Sequence, residues 1–454
     1  MNYVSQRVFT SSGVVPDRLS MRGYRLDGAT GPIEVRPHPD KAISQRSTII
    51  AALGDGVSRI SNLADCRDVR RNLDCLVDLG IALDTTAPNE IEIRGRGPLA
   101  ISPQNVTLDA GNSATTARLL AATVAGSRAE VVITGNDALR ARPMAEVIGP
   151  LREIGAQFLE VAPGGHLPFR VRGGRLAGGT ASITVDSAQP VSAALLAAAL
   201  ADGPSTIVRR VPARDHTERL LRWVGVQIHE TAQSLYVEPR PWGPFELQIP
   251  GDPSGAAYLA GVHLVSPSSD RPLVIRDVCV NPRRLGFFEV VKRMGVLVEI
   301  SNQRDLGPEP FADLTVRATG PLQAVTISSP ELVQSAIDEL PMIAALAAQA
   351  EGETRIENAF DLKGKDTDRV ATTVDLLRQF GVRASPTPDG LVVRQSEVRW
   401  PTLVHLPNDH RVIFAGILLG LLAGGYGDMV GAQGVATSHP QALNELALWV
   451  MVNR

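Results

Sequence analysis

The residues with the chemistry to engage a polyanion fall in short clusters, each at the start of an apolar run. One set comprises Asp40-Lys41-Ala42-Ile43-Ser44-Gln45-Arg46, Gly111-Asn112-Ser113-Ala114-Thr115, Ser187-Ala188-Gln189, Asp338-Glu339 and Asp409-His410-Arg411. A second set comprises Arg140-Ala141-Arg142-Pro143-Met144, Arg214-Asp215-His216-Thr217-Glu218, Lys365-Asp366-Thr367-Asp368-Arg369 and Ala436-Thr437-Ser438-His439-Pro440. These positions read as helix starts. A helix N-terminus offers unpaired N–H groups and a partial positive charge, a natural seat for phosphate or carboxylate. Asp, Ser and Thr are ordinary caps there, so Asp215, Thr217 and Asp366 read equally well as caps. Lys41, Arg142, Arg214, Arg369 and Arg411 do not. A cation at that end opposes the dipole unless an anion lies between them, so these five point to an anion-binding cleft.

The elements that carry the clusters recur. An apolar helix, a Gly and a short strand appear as LDCLVDLGIAL, PLREIGAQF, RLLRWVGVQI, VVKRMGVLV and LLRQFGVRA. Their glycines are Gly80, Gly155, Gly225, Gly295 and Gly381. A Gly just past a helix suits the left-handed position there, and the alternation that follows suits a strand. An Ala-rich helix precedes each of these, as in TARLLAATVAG and SAALLAAALADG. Six such first helices and five clear second helices imply six α/β subdomains. Pro440–Val450 reads as a sixth second helix that closes the chain without a strand. Helices apolar nearly all round imply burial behind sheets. The alternative, two unrelated α/β domains, leaves the recurrence of helix type and order unexplained. Pro-rich segments at 36–39 and 249–253 read as hinges. The expected organisation is residues 40–248 as an inserted lobe, with 1–39 plus 249–454 forming a discontinuous lobe that the N-terminal strands join.

Composition narrows the class. The 454 residues are 44% hydrophobic and 4% aromatic, with a formal net charge of −3. Bulk charge therefore gives no support to a nucleic-acid or anionic-membrane partner. Cys66, Cys75 and Cys279 form no metal-ligand spacing and read as reduced, buried thiols of a cytoplasmic protein. The stretch MNYVSQRVFTSSGVV lacks a secretory apolar core. The apolar run Val412–Ala423 is too short to span a bilayer.

In order along the chain, DKAISQR, GNSATTARLL, RARPM, DSAQPVSAALLA, RDHTERLL, GDPSGAAYLA, IDELPMIAALAAQAEGET, KDTDR, NDHR and ATSHP resemble the motifs of the 5-enolpyruvylshikimate-3-phosphate (EPSP) synthase family, in its class II bacterial form. The resemblance runs from about Gly31 to Leu446. It implies two lobes of three βαβαββ-type subdomains each, an inside-out α/β barrel, with the active site in the cleft between the lobes. It implies transfer of the enolpyruvyl group of phosphoenolpyruvate to the 5-hydroxyl of shikimate 3-phosphate, with no metal and no organic cofactor, by a monomer. On it, Lys41 contacts both substrates and helps transfer protons, Arg46 binds the shikimate carboxylate, and Arg142, Arg369 and Arg411 hold phosphoenolpyruvate. Gln189 stacks between the substrates. Ser187, the Ala188 backbone and Arg214 hold the 3-phosphate. Asp338 is the general base, Lys365 lies near the attacking hydroxyl, and Asn112 and Ala114 line the substrate site. Asp366 and His410 complete the catalytic set.

The chain departs from the family pattern on the acceptor side. Ala42 stands where the family has Ser, Asp366 where it has Glu, and Pro190-Val191 where it has a Lys-bearing segment. His38 replaces a glycine. These leave two alternatives open: another phosphorylated alcohol as acceptor, such as a nucleotide, or an anion-binding homologue without turnover.

Overall fold

The structure is a computed structural model that describes residues 15–25, 31–305 and 307–453. Residues 1–14, most of the segment read for a secretory core, lie outside the described residues. The chain divides into two compact units. Among the described residues, the first comprises Pro39–Ile249 together with the short segment that ends at Glu309; the second comprises those from Val15 to His38, Pro250–Asp305, and those from Pro310 on.

Six four-stranded sheets are built on one rule. In Gly179–Ser182, Ser205–Val208, Gln227–Glu230 and Ser234–Glu238, the first strand runs parallel to the second, and the fourth lies antiparallel between the second and the third. Two sheets borrow a strand from far along the chain. Glu246–Gln248 pairs parallel with Asp55–Ser61 in the first unit. Ile33–Val35 pairs parallel with Leu273–Cys279 in the second. Arg18–Tyr24 also joins the second unit, antiparallel to both Tyr426–Val430 and Val450–Asn453. The N-terminal strands thus pair with strands of the C-terminal part.

The two helix types differ in burial as their sequences require. The first helices are α1 (Lys41–Leu53), α3 (Ala114–Ala125), α5 (Ala188–Ala199), α7 (Pro253–Leu264), α9 (Leu340–Ala347) and α11 (His410–Leu422), and they are buried on nearly every face. In the second unit α7, α9 and α11 pack against one another; in the first, α3 packs on α1 and α5. Alanine lets these backbones approach closely, and their side-chain methyls lose little rotamer freedom on burial. The second helices α2 (Arg67–Asp78), α4 (Ala145–Ile154), α6 (His216–Trp223), α8 (Gly286–Arg293) and α10 (Arg369–Gln379) bury one face. The glycines after them have φ of 84°, 112°, 102°, 95° and 78°, a conformation that a Cβ would strain. Trp400 lies over Gly420 of α11 and Gly427 of the adjoining strand, where a Cβ would overlap its ring.

One expectation is corrected. The stretch from Pro440 is not a full second helix. It holds two short helical turns, Ala442–Glu445 and Leu446–Leu448, and then the strand Val450–Asn453. Arg18–Tyr24 presents an open edge, and extended pairing there satisfies backbone groups that a longer helix would leave bare.

Candidate functional site

In the first unit, the start of α1 carries the first cluster. Asp40 Oδ1 accepts from Ile43 N at 2.8 Å and caps the helix. That places Lys41 in the first turn, where its Nζ donates to Asp68 Oδ2 at 2.9 Å. One turn on, Arg46 is buried. Its Nε donates to Thr217 Oγ1 at 2.9 Å and its Nη2 to Ser192 Oγ at 3.1 Å. Thr217 in turn donates to Ser192 Oγ at 2.8 Å. Three helices, α1, α5 and α6, therefore fix one guanidinium. Gln45, beside it, donates to Ser113 Oγ at 2.8 Å and Thr116 Oγ1 at 2.9 Å, which ties α1 to the start of α3.

Ser113 caps α3. Asn112, half-buried, precedes it, and Ala114 is the first helical residue. Ser187 caps α5 by accepting from Gln189 N at 3.4 Å, which leaves Ala188 in the first turn. The Gln189 amide donates to Thr115 Oγ1 at 2.8 Å, while its Oε1 is buried with no hydrogen-bond partner. A buried, unmet acceptor is costly, and it suits a ligand that brings a donor. Arg142 lies in the turn before α4, and Arg214 two residues before α6. Arg118 was not singled out from the sequence. It is buried and donates to Glu146 Oε1 at 2.5 Å. Burial first, and then Arg142 nearby, push its guanidinium down to about 10. Two arginines held so close need negative charge, and Glu146 supplies one.

In the second unit, the starts of α9, α10 and α11 converge. Asp409 caps α11 by accepting from Arg411 N at 3.0 Å. Its other oxygen accepts from Arg369 Nε at 2.8 Å. Arg369 Nη1 donates to Asp338 Oδ1 at 2.9 Å, and Arg411 Nη2 lies 3.5 Å from Asp338 Oδ2. Two arginines therefore flank the Asp338 carboxylate. Burial alone would lower the Arg369 pKa, but Asp409, Asp338 and Asp366 outweigh it and hold the guanidinium well above its usual range. Burial would likewise raise Asp409, yet Arg369 and His410 depress it. Asp366 Oδ2 lies 3.5 Å from His410 Nδ1. Lys365, half-buried, precedes Asp366 in the loop before α10. Ligand atoms of Asp366, Asp409 and His410 lie within 4.8 Å of one another, a spacing that would suit a metal ion. Arg369, bonded to Asp409, already supplies positive charge there, which disfavours a second cation.

Glu339 is also new. It is buried at the start of α9, accepts from Ser254 Oγ at 2.5 Å and lies 3.7 Å from Arg411. Arg284 Nη2 donates to Asp252 Oδ1 at 2.9 Å and to Ser254 Oγ at 3.2 Å. The GDPSG motif thus braces Glu339 from behind. No spacing in the sequence marks Glu339 as a partner of Arg411, or Asp68 as a partner of Lys41; both pairings come from the packing of helices.

All three cysteines are buried, and none forms a disulfide. Burial pushes the Cys66 thiol up to about 12, so it is no nucleophile at neutral pH. No described helix is long and apolar enough to cross a membrane.

Comparison with known proteins places the chain in a family. Residues 30–446 match the family model for EPSP synthase (3-phosphoshikimate 1-carboxyvinyltransferase). The 3-phosphoshikimate 1-carboxyvinyltransferase of Chloroflexus aggregans is 38% identical over 414 residues, 90% of this chain and 94% of that protein. That of Desulforudis audaxviator is 38% identical over 413 residues, 90% and 95% of the two chains. An EPSP synthase from Acinetobacter baumannii superposes with a TM-score of 0.83 at 28% identity, over 97% of this chain and 100% of that one. The enolpyruvyl transferase NikO from Streptomyces tendae shares the fold, with a TM-score of 0.74 at 18% identity over 96% and 98% of the two chains. With residues 30–446 matched, the chain belongs to the EPSP synthase family and is a carboxyvinyl transferase.

Proposed function

We propose that this chain transfers the enolpyruvyl group of phosphoenolpyruvate to the 5-hydroxyl of shikimate 3-phosphate and releases inorganic phosphate. The observation that supports this most directly is the Asp338 carboxylate between Arg369 and Arg411. It sets a proton acceptor beside two cations, which is what addition of a hydroxyl to an anionic enol phosphate requires. Asp338 takes the hydroxyl proton. The methylene carbon is protonated in the same stage, by Lys41, Asp366 or His410, to give a tetrahedral adduct. Loss of phosphate from the adduct, with the added proton removed again, leaves the enolpyruvyl ether.

Arg142, Arg369 and Arg411 hold phosphoenolpyruvate, and their charge offsets that of the donor as negative charge builds. Arg46, Ser187, the Ala188 backbone and Arg214 hold the acceptor, with Lys365 near its hydroxyl. Gln189 spans the two substrates, and Asn112 and Ala114 line the site. No metal or organic cofactor enters the reaction. The same proposal takes the protein as a cytoplasmic monomer; buried cysteines outside any disulfide support a reducing compartment.

Phosphate release with phosphoenolpyruvate and shikimate 3-phosphate tests the proposal. Turnover that needs both substrates is the expected result. Turnover with a nucleotide monophosphate in place of shikimate 3-phosphate would overturn the acceptor. Phosphoenolpyruvate binding with no turnover on any acceptor would overturn catalysis itself.

A further inference from the structure

The hairpin formed by Val296–Asp305 and Pro310–Ala318 has its strands in the second unit, while its tip, ending at Glu309, is part of the first. Glu309 is 1% exposed. Its Oε1 lies 2.6 Å from His216 Nδ1, itself fully buried, and its Oε2 lies 3.8 Å from Arg219 Nε. A carboxylate only accepts, so Nδ1 carries the proton in this pair. Arg219 Nε also donates to Asp215 Oδ2 at 2.9 Å. Glu309 and Asp215 therefore share one guanidinium. His216 and Asp215 directly follow Arg214, and His216 is the first residue of α6.

A hairpin tip has no fold-level need for a buried carboxylate, and burying one is costly unless it is paired. Its two partners here, His216 and Arg219, lie in the first turn of α6, just after Arg214. We propose that Glu309 is a positioning residue for acceptor binding: through His216 and Arg219 it fixes the start of α6 and so aims Arg214 at the acceptor's phosphate. The inference rests on the acceptor-side role given to Arg214 above. The sequence hides it, because Glu309 sits 93 residues from His216 in a Gly-Pro-Glu-Pro turn.

The test compares Glu309→Ala, Glu309→Gln and Arg214→Ala in steady-state kinetics with phosphoenolpyruvate and shikimate 3-phosphate. Glu309→Ala should raise KM for shikimate 3-phosphate about tenfold while KM for phosphoenolpyruvate moves less than about twofold, the loss of one well-placed charge-assisted hydrogen bond. Glu309→Gln keeps an acceptor for His216 and should restore KM to within about threefold, whereas Glu309→Met, of like bulk but with no oxygen acceptor, should not. Glu309→Ala placed on Arg214→Ala should add nothing further, because coupled residues are not additive. Equal rises in both KM values, a lowered melting temperature with unchanged KM, or additive effects would each overturn the inference. Should Glu309→Ala not fold, Glu309→Asp, shorter by one methylene, is held to the same selective rise in acceptor KM. An Arg214→Ala variant with unchanged acceptor KM sinks the role of Arg214 on its own. Should the wild-type protein not turn over shikimate 3-phosphate, titration with inorganic phosphate reads the Arg214 site directly, and Glu309→Ala must weaken that binding or the inference fails.

Discussion

Arg369 Nη1 donates to Asp338 Oδ1 at 2.9 Å, so the proposed base and a proposed donor-binding cation form one hydrogen-bonded pair. Asp338→Asn keeps the shape and the contact but removes the proton acceptor. It should lower kcat by about 10²–10⁴-fold, the usual worth of general base catalysis, with KM for phosphoenolpyruvate little changed. Steady-state kinetics decide it; a fully active variant refutes the role.

Asp409 makes stability acid-sensitive. Its folded pKa lies below the ordinary carboxylate value of 3.8 because Arg369 and His410 favour the charged form over the cost of burial. A depressed carboxyl contributes stability that is present above its unfolded pKa and lost as pH falls through the folded one. Asp409→Asn should therefore cost about 3–5 kcal/mol at pH 7, the range for breaking a buried pair from one side. The gap in melting temperature between wild type and variant should narrow once the pH drops below 3.8. A gap that stays constant with pH would assign the loss to packing instead.

Ala42 follows Lys41 in the first turn of α1, and its carbonyl accepts from Arg46 Nη1 at 3.1 Å. Ala42→Ser adds a hydroxyl next to two residues assigned to the acceptor. One hydrogen bond gained, at about 1 kcal/mol, should lower KM for shikimate 3-phosphate roughly fivefold. An unchanged KM would remove Ala42 from the acceptor site.

Asp366 faces His410 across 3.5 Å. If this acid serves the reaction, Asp366→Asn should lower kcat about 100-fold, a loss on the scale of a misplaced catalytic group. Asp366→Glu keeps the acid and should retain activity to within about tenfold. Equal losses in the two variants would show that fit, and not acidity, matters at this position.

Gly427→Ala tests the fold apart from the chemistry. The new methyl would overlap the Trp400 ring. Overpacking of this kind typically costs about 1–3 kcal/mol, read as a lower melting temperature. Gly149→Ala is the control, because nothing lies near the methyl it would add.

Local rules carried much of this fold into the sequence. The glycines at 80, 155, 225, 295 and 381 all adopt positive φ, as a residue past a helix end should. Asp40, Ser113, Ser187 and Asp409 all cap helices. Long-range pairing was less legible. The strand at 450–453 depends on a partner at 20–24, and no local pattern announces that. The cations at helix starts were read as needing an anion to offset the dipole. Lys41, Arg369 and Arg411 also find anions within the protein, in Asp68, Asp409, Asp338 and Glu339, carboxylates drawn from other helices. That choice of partner is set by the packing of subdomains, which sequence spacing does not encode.

The pairing of the first strand has a consequence for biosynthesis. Arg18 and Asp428, bonded across that strand pair, are 410 residues apart. At about 5–20 residues per second, a ribosome releases the first strand roughly 20–80 seconds before its partner exists. The stretch 39–249 acquires its own last strand at Glu246–Gln248 and can fold while still tethered. The nascent chain therefore carries an orphaned strand, with Leu19 and Met21 exposed, past a finished neighbour. Chaperone dependence in the living cell should centre on those few residues.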